Sequence, residues 1–218
     1  MPKVTAVEPQ RKKKDRFNIY LDGKFAFGTQ ADTILRYQIT PGKELTPEKI
    51  NQIVKKEELS KLFDATLKFL SYRPRSQKEV ENYLAKKISK KENIKFSEAK
   101  ESGLIIEIER KLTKYKYLND TEFAKWWIES RTKSSPRGKR IIKIELMQKG
   151  VSREIVDELL ERIKNQKLLA LSSIEKKLPR WRLLPKAELK KKIYSRLSMR
   201  GFDFDTIREV VAQIEEKG

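Results

Sequence analysis

The chain has 218 residues and a formal net charge of +20, and its charged and hydrophobic residues each make up 38%. It has no cysteine, which excludes disulfides and thiolate chemistry, and no histidine, the usual general base near neutral pH, so we expect neither an enzyme nor a metal or other cofactor. No apolar run approaches the roughly 20 residues that cross a bilayer, and the N-terminus has no signal-like apolar core. We therefore expect a cytoplasmic, monomeric binding protein with a polyanionic partner and no membrane association.

A small antiparallel β-meander is predicted at the N-terminus. Apolar and polar residues alternate over 17–21, and Asp22-Gly23 favours a two-residue hairpin turn, since both central residues of a type I′ turn need positive φ. A short helix is predicted over 30–37, and Pro47 after a threonine is a typical helix start. We interpret this N-terminal portion, residues 1–57, as a cap on the helices that follow, with docking to a partner as the alternative.

Beyond residue 57 the same order of elements recurs: a helix, a break that contains proline and arginine, a second helix and a third. In the later units a glycine follows a core leucine at the same spacing, as Leu146 precedes Gly150 and Leu197 precedes Gly201. This recurrence predicts a mainly α protein with about three tandem three-helix repeats in an elongated array; all-α packing without repetition is the alternative. The three repeats are predicted over 58–115, 116–163 and 164–218.

The first and third repeats are predicted with irregularities. In the first, Ile88 replaces the glycine, residues 89–97 are predicted as a loop or a frayed helix extension, and one third helix is predicted over 98–113. In the third, a first helix is predicted over 168–178, followed by a break over 179–185.

Basic residues accumulate at the break of each repeat. In the second, Lys139, Arg140 and Lys143 lie three or four residues apart on one helix, while Ile142 and Leu146 turn toward the core. A single basic run is most often a solvated face, but its repetition predicts one basic side of the array. The candidate binding residues are Arg131, Lys133, Arg137, Lys139, Arg140, Lys143, Arg73, Arg75, Arg180, Trp181 and Arg182.

The tryptophans have different expected roles. Trp127 shares an apolar stripe with Phe123 and is predicted in the core, while Trp126 is predicted to be partly exposed beside Arg131. Trp181 lies between two arginines, where it could stack on a nucleic-acid base. Packing of Trp181 against the repeat core, as a plug for the helix break, is the favoured interpretation.

Several sequence motifs occur together in a fixed order. YLND-x2-FA is followed by R-x5-RGKR-x-I-x2-EL-x2-KG, and upstream lie SYRPRSQKEVENYL and VTAVEPQRKKKDRFNIYLDGKFAFG. These motifs resemble the RecX family, regulators of the RecA recombinase, along almost the whole chain. The resemblance implies a protein that binds the filament of RecA on single-stranded DNA and inhibits or modulates its ATPase and strand exchange.

The resemblance also implies the partners, namely the RecA nucleoprotein filament and single-stranded DNA, with duplex DNA as a further candidate. Charge clustering then suggests central contacts in the second repeat, with Arg73, Arg75, Arg180 and Arg182 as flanking ones. Two alternatives stay open. One is an architectural protein that binds DNA directly through the same basic ridges, and the other, less favoured, is a carboxylate-dependent nuclease.

Overall fold

The computed structural model describes residues 1–11 and 13–216, which form two compact units that divide between Phe69 and Leu70. In this described part, three strands precede twelve helices, so the chain is mainly helical. The predicted fold class is thereby confirmed.

The N-terminal unit begins with the predicted meander. Strands β1 (Val4–Gln10), β2 (Lys13–Leu21) and β3 (Lys24–Gln30) form one antiparallel sheet in that order. Asp22 and Gly23 connect β2 to β3 with φ angles of 47° and 79°, as the hairpin prediction requires.

Two helices follow the sheet, α1 (Ala31–Tyr37) and α2 (Pro47–Ser71). The Thr46 hydroxyl accepts a hydrogen bond from the Lys49 N–H at 3.3 Å, so α2 starts where the sequence predicts. Helix α2 then runs unbroken through residue 57. The core of this unit buries Val4, Ile19, Phe27, Ile39, Leu45 and Ile53.

A buried carboxylate joins the sheet to α2 within the N-terminal unit. Glu57 accepts hydrogen bonds from Arg16 at 2.8 Å and from the hydroxyls of Thr29 and Thr33 at 2.6 and 3.1 Å. The backbone N–H of Gln30 also donates to it, at 3.1 Å. Burial opposes ionisation of Glu57, but the bonds from Thr29 and Gln30 and the charge of Arg16 outweigh it, so its pKa is lowered.

The C-terminal unit consists of helices alone in its described part. Its repeats have separate cores: Phe123, Ile142, Leu146 and Val156 are buried in the second, and the third buries a matching set. The helices are α3 (Gln77–Glu92), α4 (Phe96–Lys100), α5 (Gly103–Lys114), α6 (Asp120–Lys133), α7 (Lys139–Gln148), α8 (Arg153–Glu161), α9 (Gln166–Ile174), α10 (Leu178–Trp181), α11 (Lys186–Met199) and α12 (Phe204–Glu216).

Two predicted helices are divided in the structure. The single helix predicted over 98–113 is wrong, because α4 ends at Lys100 and the Ser102 hydroxyl accepts from the Leu104 N–H at the start of α5. The helix predicted over 168–178 is also wrong, because α9 ends at Ile174 and the one-turn helix α10 lies partly in the predicted break.

The missing glycine of the first repeat also has a structural explanation. Ile88 lies in the interior of α3, which continues to Glu92. Asn93 then takes the left-handed conformation with a φ of 55° and ends the helix, a role that asparagine fills more readily than most residues. The first repeat therefore has a longer second helix, and the polar stretch after Ile88 is largely helical.

Successive repeats contact each other in the same way, between the start of a second helix and a glycine turn. The Ser76 hydroxyl, at the start of α3, donates to the carbonyl of Lys149 at 2.7 Å, just before the left-handed turn at Gly150. The Gly138 N–H, at the start of α7, donates to the carbonyl of Arg200 at 2.9 Å, just before Gly201. The second helices of the first and second repeats, α3 and α7, thus each start against the glycine turn of the repeat that follows.

Candidate basic interface

The Glu145 carboxylate, on α7, accepts hydrogen bonds from three side chains of the second repeat. The Trp127 indole N–H donates to Oε2 at 2.8 Å, and Arg131 Nε donates to the same oxygen at 2.7 Å. Arg137 pairs with the other oxygen, Oε1. The arrangement holds both arginines in fixed positions beside the break between α6 and α7.

Trp127 is half-buried and packs against the core of the second repeat beside Phe123, as predicted, and its ring also meets two cations. The guanidinium carbon of Arg131 lies 4.2 Å from its ring centroid, and Lys149 Nζ lies 4.4 Å from the same point. Both distances are within the range of cation–π attraction. Trp126 is also half-buried, as predicted, but the nearby cation is Arg73 at 5.5 Å.

A second carboxylate, Glu79 of α3, connects the first repeat to the second. Arg73 donates to both of its oxygens at 2.9 and 3.0 Å, and Lys149 donates at 2.6 Å. Burial raises the pKa of Glu79, but the two cationic donors outweigh it, so the pKa is lowered. Burial and the charge of Arg73 lower the pKa of the neighbouring Arg75, which stays charged at neutral pH.

The predicted ridge on α7 contains cations in different situations. Lys143 pairs with Asp157 of α8, whereas Arg140 is exposed and Lys139 is half-buried. Lys133, on α6, pairs with Glu129 one turn earlier on the protein surface. Within the described residues, Lys139 and Arg140 take part in no ion pair.

Arg200 of the third repeat reaches the break of the second. Its Nη1 donates to the carbonyl of Pro136 at 2.9 Å and contacts the Ser135 hydroxyl at 3.3 Å. Burial, followed by the charges of Arg196 and Arg137, lowers the pKa of Arg200. Positive charge therefore continues from the second repeat into the third across this contact.

The third repeat carries the remaining candidates. Arg180 and Arg182 are exposed, and neither takes part in an ion pair with any residue that the structure describes. Trp181 between them is half-buried and packs against the core of the repeat, as the favoured interpretation predicts.

The structure thus brings together Arg131 and Arg137 through Glu145, and Arg73 joins Lys149 through Glu79. Sequence reasoning missed both glutamates and Arg200. Glu79 and Lys149 are 70 residues apart, so no local signal marks that pair. The matching repeat spacing was the one available clue that these helix ends meet.

Comparison with known proteins supports one family along the chain. The B. subtilis (strain 168) protein named Regulatory protein RecX is 36% identical over 217 residues, which cover 99% of this chain and 78% of that protein. The chain belongs to the RecX family. Models of that family match the RecX N-terminal domain at 2–46 and the first, second and third RecX three-helix domains at 63–89, 119–160 and 169–211.

Other RecX proteins agree with this assignment. A Regulatory protein RecX from Listeria monocytogenes serotype 4b (strain CLIP80459) is 33% identical, covering 92% of this chain and 71% of that protein. A crystal structure of regulatory protein RecX superposes with a TM-score of 0.68 at 25% identity, over 96% of this chain and 98% of that one. RecX from Lactobacillus salivarius gives 0.60 at 26% identity, over 74% and 99%.

These matches confirm the resemblance and the three helical repeats that the sequence predicts. The relatives are named as regulatory proteins, which is consistent with a protein that binds and does not catalyse. Among the helices described, none has the length and apolar character that crossing a membrane requires.

Proposed function

We propose that this protein regulates the RecA recombinase, mainly as an inhibitor, in recombination, DNA repair and the SOS response. It binds the filament of RecA on single-stranded DNA and modulates its ATPase and strand exchange without catalysis of its own. Membership of the RecX family is the observation that carries this proposal. The net charge of +20 supports it, because a DNA-bearing filament is polyanionic.

The second repeat supplies the central contacts. Arg131 and Arg137 lie beside the break between α6 and α7, and Glu145 pairs with both in the free protein, so the filament competes with Glu145 for them. Arg140 contributes charge that no ion pair among the described residues neutralises, and the charge of Lys139 helps to lower the pKa of Asp203. The flanking contacts come from Arg73 and Arg75 of the first repeat and from Arg180, Trp181 and Arg182 of the third.

The test is ATP hydrolysis by RecA on single-stranded DNA, titrated with this protein at fixed salt. We expect suppression well below one molecule per RecA protomer. Arg140→Glu should weaken it strongly, because Arg140 is exposed and its replacement breaks no ion pair among the described residues. Lys164→Glu makes the same kind of charge reversal at another exposed position and is the matched control. If the two variants weaken suppression of the ATPase equally, the basic ridge on α7 is not a specific contact and the proposal for it is wrong.

Direct DNA binding is the second candidate. It is favoured by Arg140, Arg180 and Arg182, which are exposed and form no ion pair with any described residue. It predicts strong binding to bare duplex DNA, with a log–log salt slope of about −0.9 per phosphate neutralised. Suppression of the ATPase only once the protein saturates the DNA would favour this candidate. We further propose that the protein acts as a cytoplasmic monomer, which light scattering of the purified chain and cell fractionation test.

A further inference from the structure

A basic depression surrounds Trp181 in the third repeat. Two adjoining cavities of about 700 and 610 Å³ share Lys177, Trp181 and Lys192 as walls. Their sizes fall within the range of small-ligand sites, about 300–1,000 Å³. Glu188 is the one carboxylate among the described residues that line them. The lining cations are Lys176, Lys177, Arg180, Lys191, Lys192 and Arg196.

Comparison with the second repeat explains why this charge is not neutralised internally. Leu146 and Gly150 correspond to Leu197 and Gly201, so the position of Glu145 corresponds to that of Arg196. In the second repeat, the carboxylate at this position pairs with the arginines of the break. In the third repeat a cation occupies it, and none of the six lining cations forms an ion pair with a described residue.

The Arg196 side chain adds to the positive charge of this depression, which it lines. Its Nε atom is buried and has no hydrogen-bond partner among the described residues. A buried donor of a charged group is costly to leave unsatisfied. Arg200 lies near enough for the two positive charges to repel each other, which adds to the local excess. An anionic group in the cavity, which Arg196 also lines, would offset this excess of positive charge.

Trp181 determines which kind of anion fits. One part of its indole packs on the core of the third repeat, and another part lines the cavities. A flat aromatic surface beside several cations matches a nucleotide, whose base stacks while its phosphate pairs with lysine or arginine. The base must be unpaired, because a duplex keeps its bases stacked inside.

We propose that this depression, named here the Trp181 site, binds single-stranded nucleic acid directly. One base stacks on Trp181, and the adjacent phosphates contact Lys177, Lys192 and Arg196. The inference deepens the proposed function, which counts Trp181 only among the flanking contacts, and it rests on that function for the presence of single-stranded DNA. Because the site needs no RecA, either proposal can fail while the other stands.

The first test measures binding of the full chain, without RecA, to two fluorescent oligomers of equal length, oligothymidylate and its abasic counterpart. We expect oligothymidylate to bind at least about 5-fold more tightly, the lower end for one base stacked on an aromatic side chain. Trp181→Leu should abolish this difference and leave abasic binding unchanged, while Trp181→Phe should keep most of it. Tyr115→Leu, at an exposed aromatic residue of the first repeat, should keep the full preference.

Equal affinity of the parent protein for the two oligomers would overturn the proposal. So would tight binding of a poly-glutamate peptide that Trp181→Leu abolishes, because the site would then be one for acidic peptides. Binding of a duplex as tightly as oligothymidylate would also contradict it.

A second variant leaves the indole packing intact. Lys177→Gln with Lys192→Gln should weaken binding of both oligomers equally. It should also make the log–log salt slope shallower by about 1.4, because each phosphate that the protein neutralises on a single strand adds about 0.7 to the slope. The control variant, Lys164→Gln with Lys167→Gln, removes the same charge outside the cavity lining. Its log–log salt slope should stay close to that of the parent protein. An unchanged slope in the first pair would overturn the proposed pairing of these lysines with phosphates.

Discussion

The backbone N–H of Gly138 donates a hydrogen bond to the backbone carbonyl of Arg200. This bond joins the second repeat to the third through backbone atoms on both sides. A Cβ atom placed on Gly138 would overlap the carbonyl group of Gly201 and the amide nitrogen of Phe202. The Gly138 φ angle of −73° is open to any residue, so close approach is what requires glycine here.

Gly138→Ala should therefore destabilise the C-terminal unit by about 1–3 kcal/mol or more, because backbone atoms cannot move aside as a flexible side chain can. Urea unfolding of the full chain measures this change. Gly103→Ala is the matched control. Nothing lies within 4 Å of its added methyl group, and alanine favours the first turn of α5, so we expect a neutral or slightly stabilising effect. Equal losses of stability in the two variants would contradict a close-packed contact at Gly138.

Glu145→Gln tests the charge network of the second repeat. The substitution removes the partner of Arg131 and Arg137, whose side chains are 26% and 36% exposed, so we expect a loss of about 1–2 kcal/mol in stability. The released arginines should also raise affinity for the RecA filament by about 2- to 5-fold at low salt. Chemical denaturation and filament binding by anisotropy give the two readouts.

Glu129→Gln is the control for this network. It makes the same charge change at an exposed pair with Lys133 and should leave stability unaltered. A fall in filament affinity for Glu145→Gln would contradict the view that Glu145 competes with the filament for these arginines.

Glu57→Gln tests the buried carboxylate of the N-terminal unit, and its effect should depend on pH. The folded-state pKa of Glu57 is lowered, so the ionised group stabilises the fold above its unfolded value of about 4.3 and loses this contribution as pH falls through the folded pKa. At pH 7 we expect a loss of roughly 3 kcal/mol. The difference in the free energy of unfolding between parent and variant should become smaller below about pH 4. Denaturation at several pH values checks this, and a gap independent of pH would contradict it; Glu44→Gln, at an exposed position, is the control.

Glu109→Gln should have the opposite effect on stability from Glu57→Gln. Burial raises the pKa of Glu109, the charges of Glu81 and Asp120 add to this, and one of its oxygens is buried without a hydrogen-bond partner among the described residues. The ionised group therefore costs stability at neutral pH, and the parent protein gains stability as pH falls through the raised pKa. The variant should be more stable by about 1 kcal/mol at pH 7, with a smaller gain near pH 4.5.

Thermal unfolding at the two pH values measures the effect of Glu109→Gln. Glu107→Gln, in a surface pair with Lys111, is the control and should change little. A destabilised Glu109→Gln protein at pH 7 would show that the hydrogen bond from Gln77 Nε2 to Glu109 Oε2, at 3.4 Å, outweighs the cost of burial.

Local signals in the sequence were sufficient for most elements of the fold. The Asp22-Gly23 turn, the start of α2 at Pro47 and the glycine turn at Gly150 depend on residues a few positions apart. The division between α4 and α5 was missed because the apolar spacing on each side is helical, and Ser102 ends one pattern and caps the next.

The candidate interface was less accessible to sequence reasoning. Trp127 has the spacing of a core residue, yet its indole N–H meets Glu145 and its ring meets two cations from other parts of the repeat. Periodicity records which face of a helix is apolar, but it does not record what charged groups pack at the edge of that face.

The sequence by itself determined the three helical repeats, the excess of positive charge at their breaks and the membership of the RecX family. Only the tertiary structure decided which of those charges a carboxylate neutralises. Arg131 and Arg137 meet Glu145, whereas Arg196 occupies the position of Glu145 in the third repeat, and the cations that line the Trp181 site form no ion pair in the described part of the chain. The physical reason is that ion pairing depends on separations of a few ångströms between side chains, and the packing of one helix on another determines those separations.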